Sequence, residues 1–163
     1  MFTSPFNKGG GNIGDYLQIK LPMIFKTQNT EETVDLGKRI GSVLTKGTVI
    51  GFFGDLGSGK TTMIKGFAQG LGVKELVKSP SFVVVTEYQG RFPVYHIDLY
   101  RISKPSELLE IGFEQYLYGD GVCLIEWAER AGKLLPENGV KVQIEIIDKD
   151  QRKITIANLK QPI

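Results

Sequence analysis

Apolar residues along the chain switch period from two to nearly four and back, which marks out strands and helices in turn. Met23–Thr27 is a short β-rich run. Thr30-Glu31-Glu32-Thr33 then opens a helix with a capping residue and acids in its first turn, and Val34, Leu36, Ile40, Val43 and Leu44 give it an apolar face as far as Lys46-Gly47. Thr48-Val49-Ile50-Gly51-Phe52-Phe53 predicts a buried strand, and the helix after it stops at Gly70-Leu71-Gly72. Phe82–Tyr88 and Phe92–Leu99 predict a hairpin turning at Gln89-Gly90-Arg91. Ser106 caps a predicted helix carrying Leu108, Leu109, Ile111, Phe113, Tyr116 and Leu117. Val122–Trp127 is continuously apolar until its acid, as a strand covered on both faces would be. Val140–Ile147 and Lys153–Leu159 alternate around Asp148-Lys149-Asp150-Gln151 and predict a second hairpin. Helices interleaved with strands predict an α/β domain with a mainly parallel central sheet and antiparallel hairpins at its edges.

Residues 1–22 break the pattern. They carry Gly9, Gly10, Gly11 and Gly14 without sustained periodicity, so they are expected to be a flexible N-terminal extension or tag, with the domain spanning 23–163. A chain of 163 residues fits one such domain with a substantial core. The net charge of +2 comes from scattered lysines, which argues against tight nucleic-acid binding by the chain alone. A single cysteine, Cys123, rules out an intrachain disulfide and fits a reducing compartment, and its apolar surroundings suit inert packing. No run approaches the ~20 apolar residues of a membrane span, and no secretory signal is visible, so a cytoplasmic location is expected.

The chemistry begins at Gly54-Asp55-Leu56-Gly57-Ser58-Gly59-Lys60-Thr61. A G-x-x-x-x-G-K-[ST] run between a strand and a helix is a phosphate-binding loop in its confirming context. Gly57 and Gly59 let the backbone curl with its N–H groups inward, and the following helix adds unpaired N–H groups and partial positive charge. Lys60 brings a full charge to the β- and γ-phosphates, and the Thr61 hydroxyl is placed for Mg²⁺. The chain is therefore expected to bind a nucleoside triphosphate with magnesium.

Such a site needs an acid at the end of a neighbouring strand. Glu126 ends Val122-Cys123-Leu124-Ile125, and Asp98 ends Val94-Tyr95-His96-Ile97. One would bind the metal, directly or through water, while the other orients the attacking water. The competing reading for each is a solvated strand-terminal acid. His96 shares a face with Asp98 in a regular strand, and as the lone histidine it reads more readily as a hydrogen-bonded structural residue than as a catalyst. Tyr100-Arg101 suits phosphate, a partner or plain solvent. A hydroxyl in Ser79-Pro80-Ser81-Phe82 suits a γ-phosphate sensor or an ordinary turn. Trp127 lines the nucleotide pocket, a docking surface or the core.

Gly54–Thr62, Ser79-Pro80-Ser81-Phe82, His96-Ile97-Asp98-Leu99-Tyr100-Arg101 and Glu126-Trp127-Ala128-Glu129-Arg130, in that order, closely resemble the bacterial TsaE family, formerly YjeE. The opening Thr30-Glu31-Glu32-Thr33 and Leu71-Gly72 are similar too, and the resemblance runs from about Met23 to the second hairpin. One departure is Ser81, where the family usually has threonine; the hydroxyl survives. The resemblance implies a P-loop ATPase domain, weakly active alone, that serves tRNA threonylcarbamoyladenosine synthesis. Its partners would be TsaB and TsaD, with tRNA reached indirectly through them. It implies ATP and Mg²⁺ as cofactors, Thr61 and Glu126 as metal ligands, and Asp98 and Lys60 as catalytic residues. The nucleotide would rest on Gly54, Asp55, Leu56, Gly57, Ser58, Gly59, Lys60, Thr61 and Thr62, with Trp127 beside it.

Three rivals are weighed on residues. A GTPase needs an N-K-x-D-type segment, and none follows the loop. A small-molecule kinase usually carries an arginine-bearing lid, whereas the short segment after Trp127 offers only Arg130 before Lys133. A nucleotide-sensing module with negligible hydrolysis shares every feature above and differs only in phosphate release.

Overall fold

The computed structural model describes residues 21–79 and 84–163. Among these residues, β1 (Met23–Thr27), β2 (Val49–Phe53), β3 (Val85–Gln89), β4 (Pro93–Asp98), β5 (Val122–Glu126), β6 (Val140–Ile146) and β7 (Arg152–Ala157) form one sheet. Its order is β1-β7-β6-β2-β5-β4-β3. The centre is parallel, with β2 between β5 and β6 and β4 beside β5. Both edges are antiparallel: β3 pairs with β4, and β7 lies between β6 and β1. The parallel centre and the antiparallel hairpins at the edges are as expected, but with three parallel and three antiparallel pairings the sheet as a whole is evenly mixed. The proposed extension falls outside the described residues except for Leu21 and Pro22, as do Pro80, Ser81, Phe82 and Val83.

β5 is buried along its whole length. Val122 and Leu124 face one core, with α1 (Thr30–Val43) and α2 (Lys60–Gly70) packed over it, while Cys123 and Ile125 face the other. The second core is closed by α3 (Ser106–Glu110), α4 (Phe113–Leu117) and the 3-10 segment Ala128–Leu134. Cys123 is buried there, its thiol pushed up to about 12 by desolvation and bonded to the Tyr116 carbonyl at 3.0 Å, so it is an inert core group.

Two expectations change. Asn29, not Thr30, caps α1: its side chain accepts from the Glu32 N–H at 2.9 Å, and the Glu32 carboxylate reaches back to the Gln28 N–H at 2.7 Å. The single helix expected after Ser106 is two short ones, because Gly112 takes a φ of 70° that a continuing helix forbids. Ser106 is the first helical residue, and Pro105 occupies the capping position.

α1 and α2 meet through glycines. A Cβ on Gly37, Gly41, Gly66 or Gly70 would stand 2.5, 2.3, 2.1 or 2.2 Å from a carbonyl oxygen of the opposing helix. The two backbones therefore touch directly, which no larger residue permits. Arg91, at the β3–β4 turn, locks the far end by donating to the carbonyls of Gly70 at 2.6 Å and of Gly41, Ser42 and Leu44. These carbonyls lie at the C-terminal ends of the two helices, where few N–H groups remain to pair with them; that of Gly41 also accepts from the Leu44 N–H at 3.4 Å. α2 is thus held rigidly at its C-terminus while its N-terminus faces the site.

Candidate nucleotide site

β2 ends against the loop, and the loop bends where glycine is required. Gly57 and Gly59 have φ of 76° and 103°, the left-handed region that side chains disfavour. At Gly54 the limit is space as well: a Cβ would lie 2.5 Å from the Ile144 carbonyl. Inside the loop the Ser58 N–H donates to the Asp55 carbonyl at 3.0 Å, and Gly59 starts α2 by accepting from the Met63 N–H. Ser58 is fully buried, and it, Gly54 and Asp55 are not among the residues that line the cleft beside the loop.

Arg152 braces the loop from outside. Its Nε donates to the Ser58 carbonyl at 2.8 Å, and its Nη1 donates to the carbonyls of Asp148, Lys149 and Gln151. In a trans peptide the carbonyl and the next N–H point opposite ways. Fixing the Ser58 carbonyl outward therefore turns the Gly59 N–H inward. Sequence reasoning missed Arg152, which lies 94 residues from Ser58 in a strand that reads as ordinary.

Leu56, Gly57, Gly59, Lys60, Thr61 and Thr62 line one side of a cleft of about 490 Å³. Asp98, Glu126 and Trp127 line the other, with Ser79, Val84, Tyr100 and Arg101 around it. The two acids are direct neighbours, since Asp98 pairs with Glu126 across the β4–β5 ladder. Glu126 is almost fully buried and accepts from the Thr61 hydroxyl at 2.8 and 3.0 Å, 65 residues away. His96, also on β4, is fully buried with Nε2 2.8 Å from Glu126 Oε1. That outcome matches the structural reading of this histidine and gives it a definite neighbour. Asp98 faces the cleft instead, accepting from the Tyr100 N–H at 2.9 Å and from the Ser79 hydroxyl at 3.4 Å.

Lys60 is 5% exposed, and its Nζ donates to the Gly54 and Asp55 carbonyls at 2.7 and 2.9 Å. Burial lowers its pKa from the ordinary lysine value, opposed by the charges of Glu126, Glu129, Asp98 and Asp55. The ammonium also sits 3.9 Å from the Trp127 ring centroid. Trp127 takes a φ of 54°, turning the chain sharply out of β5, and its half-buried ring lines the cleft while packing against the second core. The Tyr100 ring lies against it, tilted by 49° with centroids 5.1 Å apart, and Arg130 lies over both rings. The site thus concentrates one desolvated cation, left-handed glycines and two adjacent carboxylates around a single cleft.

A hydroxyl and a carboxylate within bonding distance are hard oxygen donors, and they fit a small divalent ion that takes few protein ligands. Thr61 and Glu126 are the residues positioned to hold one. The side-chain chemistry expected from Lys60, Thr61, Glu126 and Asp98 converges here, and Trp127 joins them; Ser81 lies outside the described residues.

The family model described as "Threonylcarbamoyl adenosine biosynthesis protein TsaE" matches residues 27–154. The protein of that name from Bacillus subtilis is 42% identical over 132 residues, 80% of this chain and 82% of its own length. The Treponema pallidum protein is 37% identical over 131 residues, covering 80% of this chain and 97% of its own. A crystal structure of Bacillus subtilis YdiB superposes with a TM-score of 0.73 at 37% identity, covering 85% of this chain and 86% of that one. The matched span takes in the loop, both acids, His96, Trp127 and the bracing arginine, so likeness and geometry coincide: the chain belongs to the TsaE family.

Proposed function

We propose that this protein is a magnesium-dependent ATPase that supports threonylcarbamoyl modification of the tRNA adenosine next to the anticodon, acting beside TsaB and TsaD in the cytoplasm. The observation that carries the reading is the pairing of Thr61, at the start of α2, with Glu126, at the end of β5, beside the buried ammonium of Lys60. A buried cation, a hydroxyl and a carboxylate at a glycine-rich helix N-terminus suit a magnesium triphosphate and little else.

In this reading Lys60 leaves the Gly54 and Asp55 carbonyls and meets the β- and γ-phosphates, exchanging two neutral acceptors for charged ones. The Gly59 N–H, aimed inward by Arg152, and its neighbours cradle the phosphate oxygens. Thr61 and Glu126 would hold magnesium, which when bound would supply charge neutralisation on the phosphates. Asp98, with its carboxylate open to the cleft, orients the water that attacks the γ-phosphorus and accepts its proton, while the bond to the bridging oxygen breaks to leave ADP.

The test is phosphate release by the protein alone, with TsaB–TsaD, and with TsaB–TsaD plus tRNA, alongside co-sedimentation in ATP, ADP or no nucleotide. Slow release alone and association that depends on the nucleotide are expected, since a ligand shifts assembly only through differential affinity. Tight tRNA binding by the isolated chain, or association indifferent to nucleotide, would overturn the partnership.

A further inference from the structure

Glu126 uses its two oxygens unequally. Oε1 lies 2.8 Å from His96 Nε2 and 2.8 Å from the Thr61 hydroxyl, whereas Oε2 has only the same hydroxyl, at 3.0 Å. A carboxylate oxygen has two lone pairs, and a hydroxyl has one proton to give. His96 fills one lone pair of Oε1 alone, while the single Thr61 proton is shared between the two oxygens and lies nearer Oε1, so Oε2 is the more open acceptor. The histidine side is equally constrained. His96 is fully buried, and its Nδ1 has no hydrogen-bond partner among the described residues. A proton on Nδ1 would be a buried donor left unmade, so the proton belongs on Nε2, where Glu126 receives it.

We infer that His96 is a positioning residue that pins Glu126 through Oε1, leaves Oε2 the more open oxygen, and thereby selects magnesium over calcium at this site. Mg²⁺ is small and octahedral, taking carboxylates through single oxygens, whereas Ca²⁺ takes more ligands and readily engages both oxygens of one carboxylate. A carboxylate with one oxygen already engaged by His96 satisfies the first ion and denies the second its bidentate contact. Losing a partner that holds a ligand's orientation typically costs about 10- to 100-fold in metal affinity. The inference rests on the magnesium–ATP reading above.

His96 is the only histidine in the chain, so a long-range ¹⁵N–¹H spectrum of the labelled full-length protein, without nucleotide or metal, shows one imidazole. The expected spectrum has Nε2 protonated and Nδ1 bare; protonation on Nδ1 overturns the proposal before any nucleotide is added. Calorimetric ATP titrations in magnesium and in calcium then compare the unsubstituted protein with His96→Phe, which keeps the ring and loses the donor, and His96→Gln, whose amide can still donate. Magnesium should be preferred in the unsubstituted protein, that preference should shrink about tenfold in His96→Phe, and His96→Gln should largely restore it. A purely structural histidine would weaken ATP binding equally with both ions. An unchanged preference in folded His96→Phe, or no preference in the unsubstituted protein, refutes the inference. Should His96→Phe not fold, the ¹⁵N spectrum and the unsubstituted protein's ion preference decide it. Failure of the unsubstituted protein to bind ATP with either ion would sink the nucleotide reading, and the ion selection with it.

Discussion

Gly66→Ala should destabilise this protein, although alanine is the better helix former. In an exposed helix interior the exchange gains about 1 kcal/mol. At Gly66 the added Cβ would lie 2.1 Å from the Val34 carbonyl oxygen, 2.9 Å from its carbon and 3.0 Å from the Lys38 nitrogen. A tolerable carbon–oxygen contact begins near 3.3 Å, so α1 and α2 must part by about 1.2 Å. The obstacle is backbone and cannot rotate aside. Parting also loosens the matching approaches at Gly37, Gly41 and Gly70. Overpacking of this kind costs roughly 1–3 kcal/mol, a backbone obstacle that cannot move aside puts Gly66 at the upper end, and the propensity gain of about 1 kcal/mol leaves a net loss of about 2 kcal/mol. The displacement also reaches the site, because Thr61 is on the same helix and bonds Glu126 at 2.8 Å. A shift near 1 Å stretches that contact past about 3.5 Å, beyond hydrogen-bonding range. Urea unfolding and ATP calorimetry in magnesium should therefore fall together, while exposed Lys65→Ala moves stability by less than about 0.5 kcal/mol. A Gly66→Ala protein as stable as the unsubstituted one would refute the glycine-contact argument, and lowered stability with unchanged ATP affinity would refute its coupling to the site.

Thr61→Ala and Glu126→Ala should each weaken the magnesium dependence of ATP binding, and the double variant should lose less than the sum, by about 0.5–3 kcal/mol, because the two groups touch; fully additive losses would mean that they do not share an ion. Asp98→Asn should bind ATP nearly normally while phosphate release falls by about two orders of magnitude. If binding falls in proportion instead, Asp98 is the metal ligand and the roles of the two acids exchange.

Much of this was legible in the sequence because the signals were local. A strand buried on both faces cannot alternate, so Val122–Glu126 announced itself by composition, and its terminal acid was bound to emerge at the edge where the loop also emerges. The glycine-rich run is specified by backbone angles that few residues reach. What stayed hidden depends on pairings between distant segments. Nothing near Arg152 signals that it will hold the Ser58 carbonyl, and nothing near His96 signals that Glu126 will lie beside it, until β4 and β5 are set in register. The i, i+4 glycines at Gly37 and Gly41 and at Gly66 and Gly70 were visible, but their meaning requires knowing that the two helices face each other. The split at Gly112 was misread because the apolar spacing continues across it while the backbone does not.

The central claim is that this cleft holds a buried cation, the Lys60 ammonium, for a phosphate group, and Lys60→Met tests it most directly. The thioether keeps the buried stem and removes the charge. Because burial lowers the Lys60 pKa, the unfolded chain binds that proton more tightly than the folded one between the folded value and 10.5, so stability rises with pH across that interval and the charged form is the less stable one below it. The substitution removes a desolvated charge but also the Nζ bonds to the Gly54 and Asp55 carbonyls, so the substituted protein should stay folded at neutral pH with an unchanged circular dichroism spectrum. Its affinity for ATP in magnesium should nevertheless fall at least about tenfold, since a charge-assisted bond to phosphate contributes roughly 1.5–3 kcal/mol. Calorimetry giving the same ATP affinity with Lys60 and with methionine in its place would contradict the account.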